Sequence, residues 1–205
     1  MITLIAALDE HDAIGLGNTM PWYLPADMKH FRSLTVGHTI LMGRRTFDSL
    51  PKGALPDRRN VVLTAQPDLQ CPGCLMVHSM DEALEVCRTA DEAFIIGGRE
   101  VYRQFLPVAD RLCLTRVHHV FPEADVFFPD VDWRLWREAE RTDHAPDERN
   151  PYALTFAGQA TPWRTALDEI ARDPEIAEIV AGVIKASDQV LSPVRRSLAT
   201  QSVAS

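Results

Sequence analysis

Two rhythms of apolar and polar positions run through this chain. ITLIAAL (2–8) is an unbroken apolar, β-prone run and predicts a buried strand. Behind Pro25, Met28, Phe31 and Leu34 recur at helical spacing and predict a helix over 25–35. The alternation then continues. Strands are expected at 38–43, 60–64, 75–78, 93–98 and 111–117, and helices at 44–50, 80–90 and 100–106. Strands separated by helices imply a largely parallel sheet with crossover helices. Residues 9–23 hold Gly15, Gly17 and Asn18 and predict one long loop, the kind that serves as a lid. Near the end the rhythm changes: 133–143 and 151–158 read as two strands joined by the polar DHAPDERN, an antiparallel hairpin finishing the sheet. Trp133 and Trp136 are expected to pack on its first strand. The fold class is α/β, with a mixed, mostly parallel central sheet, flanking helices and a C-terminal antiparallel hairpin.

After Gly158 the composition shifts. Thr161-Pro162 opens a helical pattern carried by Trp163, Ala166, Leu167 and Ile170. Asp173-Pro174 opens a second, with Ile176, Ile179, Val180, Val183 and Ile184 as its stripe. These features divide the chain into a domain at 1–158, a helical extension at 159–186 and a flexible tail at 187–205. Short helices are marginal alone in water, so the stripe needs a surface. Packing on the body gives a monomer, packing on a second copy gives a tail-mediated homodimer, and another protein is the remaining alternative.

Composition narrows the class. The 205 residues are 46% hydrophobic and 24% charged, as in an ordinary globule, and the formal net charge is −8. That acidity argues against nucleic acid and anionic membranes as partners. The apolar N-terminal run lacks a basic start, is too short for a signal peptide, and is followed at once by Asp9 and Glu10. The expectation is a cytoplasmic protein whose Cys71, Cys74, Cys87 and Cys113 stay reduced. Cys71-Pro-Gly-Cys74 reads as a turn or as a redox pair, and no second ligand pair supports a metal site.

Three features fall at carboxyl ends of predicted strands, where open α/β sheets bind ligands. Gly43-Arg44-Arg45-Thr46 is a strand-to-helix turn suited to a phosphate, or a solvated helix start. Gly97-Gly98 lets a phosphate or ring approach the backbone, or serves a tight turn alone. Asp27 lies beside an apolar helix face, either as a first-turn acid or as a carboxylate desolvated in a cleft. Arg58-Arg59 could clamp a carboxylate or simply carry surface charge. His30, His38, His118 and His119 read as surface or turn residues.

Taken together and in order, ITLIAAL, IGLGNTMPW, LPADMKHF, MGRRTF, LPDRRNVVLT, VHSMDEA, IIGGREVYRQFLP, LTRV and ADVFFP resemble dihydrofolate reductase of the bacterial chromosomal type, from Met1 to about Phe156. The resemblance implies reduction of 7,8-dihydrofolate to tetrahydrofolate by hydride transfer from NADPH, inhibition by antifolates, and no metal. It assigns Asp27 to the pteridine 2-amino group and adjacent ring nitrogen, Trp22 to a water near Asp27, and Met20 to a lid over the nicotinamide. Ile5, Ala7, Met28, Phe31, Leu50, Leu55 and Ile96 would line the pteridine and benzoyl pocket. Thr115 would anchor Asp27, and Arg58 would clamp the glutamyl α-carboxylate. Arg44, Arg45, Thr64 and His78 would hold the adenosine 2′-phosphate, and Gly97 and Gly98 the pyrophosphate, often through a cis peptide in this family. Ala7, Ile14, Gly43, Thr46, Leu63, Arg99, Val101 and Tyr102 complete the cofactor set. Asp125 matches an acid that steadies the closed lid.

The chain also departs from the pattern. Tyr23 stands where relatives often have Asn, and Arg99-Glu100 replaces a Gly-Arg pair. The CPGC loop is unfamiliar, and 159–205 has no counterpart. A deaminopyrimidine-type reductase and a reductase-like binding module are the competing readings, and the Asp27–Arg58 pair argues against the first.

Overall fold

The computed structural model describes residues 1–161. Of the helical extension expected at 159–186, Gln159 and Ala160 belong instead to a strand, and its remainder from 162, with the tail at 187–205, lies outside the described residues. The strands are β1 (Ile2–Leu8), β2 (Ala13–Gly15), β3 (Thr39–Gly43), β4 (Arg59–Leu63), β5 (Cys74–Val77), β6 (Ala93–Ile95), β7 (Arg111–Val117), β8 (Val126–Phe127), β9 (Arg137–His144) and β10 (Leu154–Ala160). The α-helices are α1 (Pro25–Thr35), α2 (Arg44–Asp48), α3 (Met80–Thr89) and α4 (Arg99–Phe105).

Eight strands form one sheet in the order β5-β4-β3-β6-β1-β7-β10-β9. The first six are parallel, and β10 pairs antiparallel with both β7 and β9. β1 lies near the centre between β6 and β7, which is why its run carries no polar alternation and every residue in it is buried. One face of the sheet packs Leu4, Leu41, Val61, Ile95 and Leu112 against Leu84 of α3 and Phe105 of α4. The other carries Ile5, Ile40, Met42, Val62 and Phe94, with Phe31 and Leu34 of α1 packed on them only in part.

Several boundaries differ from the sequence reading, each for a local reason. The expected loop 9–23 contains β2, which pairs with β8. Asp9 is wholly buried and accepts hydrogen bonds from the N–H groups of His11, Ala13 and Phe121 at 2.8–2.9 Å. The strand expected at 93–98 stops at Ile95, ahead of the Gly97–Gly98 turn, where the peptide is cis and Gly97 takes φ +114°. β9 begins at Arg137, since 133–135 coils into a 3-10 turn. Trp136 therefore packs into the core, while Trp133 stands outside it. β10 runs to Ala160, past the composition change at Gly158. CPGC forms a turn: Cys74 N–H donates to the Cys71 carbonyl at 3.0 Å, and Gly73 takes φ +79°. The four cysteines are free, and burial pushes the Cys113 thiol up to about 11.

Candidate active site

The sheet's carboxyl edge gathers the residues that the sequence singled out. Ile5, Phe31, Leu50, Leu55 and Ile96, drawn from five separate segments, pack into one apolar cluster. Ala7 and Trp22 join a neighbouring cluster with Leu24, beside the start of α1. Met28 projects from α1 and, at 54% exposure, is not part of the core. Met20, in the loop before α1, is 46% exposed.

Asp27 lies in the first turn of α1. Burial pushes its carboxyl above the ordinary carboxylate range, and a hydrogen bond with the Thr115 side chain pulls the other way. Thr115 is buried on β7, in register with Ala7 of β1. Trp22 buries its indole Nε1–H without a hydrogen-bond partner among the described residues. Such a donor is costly unless the site supplies an acceptor. The Tyr102 hydroxyl donates to the Ile5 carbonyl at 2.7 Å. Its acidity is suppressed first by burial and then by the charge of Asp27.

Asp27 owes its position to a residue that sequence reading missed. Leu24, at the N-cap of α1, offers no side-chain acceptor. The Asn150 Oδ1 accepts from Ala26 N–H at 2.9 Å instead, and Asp147 holds the Asn150 amide at 2.9 Å. An uncapped helix start followed by a carboxylate was the only available signal. His30, read as a surface residue, is half-buried and meets the Phe156 ring at 4.2 Å. Burial depresses its pKa, and Glu140 partly opposes that. His118 bridges Glu10 at 2.7 Å and Thr155 at 2.8 Å. His119 stacks on Tyr152 at 4.4 Å, and His38 meets the Phe94 ring edge-on at 5.5 Å.

Of the two adjacent arginines, Arg58 is the fixed one. Its Nε donates to the Pro56 carbonyl at 2.9 Å, its Nη1 to Thr35 Oγ1 at 3.2 Å, and its guanidinium lies 6.0 Å from the Phe31 ring centre. Arg59 is exposed on β4.

A second group lies along the ends of β4, β3 and β6. Gly43 N–H donates to the Gly97 carbonyl at 2.7 Å, joining the arginine turn to the glycine turn. A side chain at Gly43 would meet Val101 at 3.0 Å, and one at Gly97 would meet the Tyr102 ring at 3.2 Å. Gly97 also takes φ +114°, which L side chains avoid. Thr46 Oγ1 would lie 3.4 Å from a Cβ at Gly98. Arg44 pairs with Asp48 at 3.0 Å, and Arg45 is exposed beside it. Thr64 is buried, with its carbonyl 3.0 Å from the His78 ring, while His78 itself is exposed. Arg99 is exposed at the first position of α4. Ile14, Leu63, Val101 and Tyr102 belong to the apolar cluster behind this edge. The glycine cradle and the adjacent cationic turn fit the pyrophosphate and phosphate of a dinucleotide.

The loop before α1 is tied down by Asp125. Gly17 N–H donates to the Asp125 carboxylate at 3.1 Å, and Asp125 N–H donates to the Gly15 carbonyl at 3.1 Å. Among the described residues, no group of three or more His, Cys, Asp or Glu side chains is arranged to hold a metal. No helix among them is long and apolar enough to cross a membrane.

An apolar wall with one buried carboxylate, next to a glycine turn and an arginine pair, has the chemistry to suit a flat heterocycle and a dinucleotide, the ligands of a nicotinamide-dependent reductase. The sequence model for the family described as "Dihydrofolate reductase" matches residues 1–160, and the chain belongs to that family. It is 42% identical over 156 residues to the dihydrofolate reductase of Bacillus subtilis (strain 168), covering 76% of this chain and 92% of that protein. The Neisseria gonorrhoeae dihydrofolate reductase is 46% identical over 155 residues, covering 76% and 94%. Among solved structures, dihydrofolate reductase from Enterococcus faecalis complexed with NADP(H) and RAB-propyl superposes with a TM-score of 0.76 at 36% identity. That match covers 79% of this chain and 96% of the other.

Proposed function

We infer that this chain reduces 7,8-dihydrofolate to 5,6,7,8-tetrahydrofolate with NADPH, in the folate chemistry of the cytoplasm. Family membership supports the reaction, and one observation carries its assignment to particular residues: Asp27, its pKa raised by burial, stands beside an otherwise apolar pocket. NADPH, when bound, supplies the hydride. Gly43, Gly97 and Gly98 leave room for its pyrophosphate, and Arg44, Arg45, Thr64 and His78 hold its 2′-phosphate end. The wider set of Ala7, Ile14, Thr46, Leu63, Arg99, Val101 and Tyr102 completes that edge.

The Asp27 carboxylate binds the 2-amino group and neighbouring ring nitrogen of the pteridine. Thr115 fixes its orientation, and its desolvation is relieved when this partner arrives. Ile5, Ala7, Met28, Phe31, Leu50, Leu55 and Ile96 exclude water from the ring and align C6 for the hydride. Arg58 is preorganised by Pro56 and Thr35 to receive the glutamyl carboxylate. The Trp22 indole donor holds a water near Asp27, and Met20 closes over the reacting face. N5 takes its proton from water, with Asp27 setting the field in which that water gives it up. The same cleft, carrying a carboxylate for an amidine-like edge, accepts antifolate inhibitors.

The test follows the loss of reduced-nicotinamide absorbance on mixing protein, NADPH and dihydrofolate, with Asp27→Asn alongside. The variant is expected to lower the hydride-transfer rate at neutral pH by ~100-fold or more, while NADPH affinity changes little. An unchanged rate would remove Asp27 from this role. NADPH binding with no turnover by the unmodified chain would favour a binding module.

A further inference from the structure

We propose that Cys71 and Cys74 are a dithiol–disulfide couple, closed by a low-molecular-weight disulfide and set against the wall that holds Leu50 and Leu55. The turn between them is already shaped for closure. Pro72 occupies its second position, Gly73 takes φ +79° at its third, and Cys74 N–H donates to the Cys71 carbonyl at 3.0 Å. A turn of this kind brings its first and fourth Cα atoms within about 7 Å, and a disulfide spans Cα separations of about 4.4–6.8 Å. Pro72 also restricts the open chain, so little conformational freedom is left to lose on closing.

Both side chains enter the apolar cluster on the cleft side of the sheet, Cys71 at 5% exposure and Cys74 partly buried. The other two cysteines are out of reach. Cys87 lies on α3, in the cluster on the opposite face. Cys113 lies on β7, five strand spacings along the sheet from β5, on the order of 24 Å away.

Access orders the steps. Cys74 is the more open thiol, and it donates to the Pro72 carbonyl at 3.9 Å. The Cys74 thiolate attacks one sulfur of the small disulfide and expels a thiolate. The Cys71 thiolate then attacks the Cys74 sulfur of the mixed disulfide and expels the second. The Cys71–Cys74 bond forms and the reagent's S–S bond breaks. Two electrons pass to the reagent, and the two cysteine protons end on the two released thiols. Burial raises both thiols, with Asp48 adding to this at Cys71 and Cys71 adding to it at Cys74. The couple is therefore slow at neutral pH and quickens as pH rises.

Location gives the couple its consequence. A Cβ at Gly73 would meet Ala54 at 3.0 Å, so the turn abuts the segment between Leu50 and Leu55. Closure changes how both sulfurs fill the cluster that Leu50 and Leu55 share. This consequence rests on the function proposed above, and the disulfide itself does not.

The experiment incubates the full chain with glutathione disulfide at about pH 8, quenches with acid, counts free thiols and maps peptides by mass. Two of the four thiols should be lost, mapped to a Cys71–Cys74 bond and returned by dithiothreitol. Cys71→Ser should trap glutathione on Cys74, and Cys74→Ser should leave Cys71 unmodified. In the closed form KM for dihydrofolate should rise ~2-fold or more with kcat held. Four free thiols, loss at Cys87 or Cys113, or a disulfide between two copies would overturn the couple. A mapped bond with KM unchanged would overturn its link to the wall. A mapped bond in a chain that never reduces dihydrofolate would uphold the couple and remove the proposed function instead.

Discussion

Helix α3 caps itself. The Ser79 hydroxyl accepts from Glu82 N–H at 3.2 Å, and the Glu82 carboxylate accepts from His78 N–H at 2.8 Å. Its apolar stripe is then consumed by the core, with Ala83, Leu84 and Cys87 all buried. Helix α1 differs at each of these points. It has no local cap, it borrows Asn150 from 124 residues away, and only Thr35 is fully buried. Its stripe faces a cleft, and its first turn holds a desolvated carboxylate. Two amphipathic helices on one sheet thus divide the work: one is packed for stability, and the other is left incompletely packed where the substrate is proposed to bind.

Substitution can break that contrast. Leu84→Ala in α3 is expected to cost ~3 kcal/mol of stability, with kcat unchanged, as read by denaturant unfolding and steady-state kinetics. Met28→Ala in α1 should do the reverse, staying within ~0.5 kcal/mol of the parent while raising KM for dihydrofolate. Equal stability losses would mean that α1 packs as α3 does.

A smaller effect is expected from Asn150→Ala, which removes the acceptor holding the start of α1. The expected cost is ~1 kcal/mol. Turnover should also fall relative to a Ser33→Ala control on the exposed side of the same helix. A stability loss without any change in turnover would limit Asn150 to a structural role.

The smallest effect concerns the cost of Asp27 itself. Its folded-state pKa is raised above the unfolded value of 3.8. As pH rises through that window the unfolded chain releases its proton first, so stability falls with pH and the deficit is complete above the folded pKa. Asp27→Asn should therefore raise Tm at neutral pH, and the gain should vanish below the ordinary carboxylate range. A gain independent of pH would place its origin elsewhere.

The sequence made long, periodic elements legible. β1 and β7 fall where their apolar runs predict, and the bounds of α1 match because Pro25 opens it and its stripe ends at Thr35. Shorter or non-local features were not visible. β2 and β8 are three and two residues long, too short to show a period. Trp133 and Trp136 look equivalent in sequence, and only the 3-10 turn separates the exposed one from the buried one. Asp27 was readable as an incongruity, a carboxylate against an apolar face. Its Thr115 partner came only through the resemblance, and the Asn150 hold on Ala26 just before it was not readable at all, because both reach α1 from elements distant in the chain. Arg58 and Arg59 were indistinguishable until the Pro56 carbonyl and Thr35 singled out one of them.

β9 has one more consequence. Among the described residues it is one of the two outer strands of the sheet, and seven of its eight residues, Arg137 to Asp143, are exposed. An open strand edge offers unpaired backbone groups to any other strand. Here that edge reads Arg-Glu-Ala-Glu-Arg-Thr-Asp-His, so a second molecule approaching in strand register would bring charge against charge before any hydrogen bond could form. At this edge the hairpin that completes the sheet also works against a second copy adding a strand.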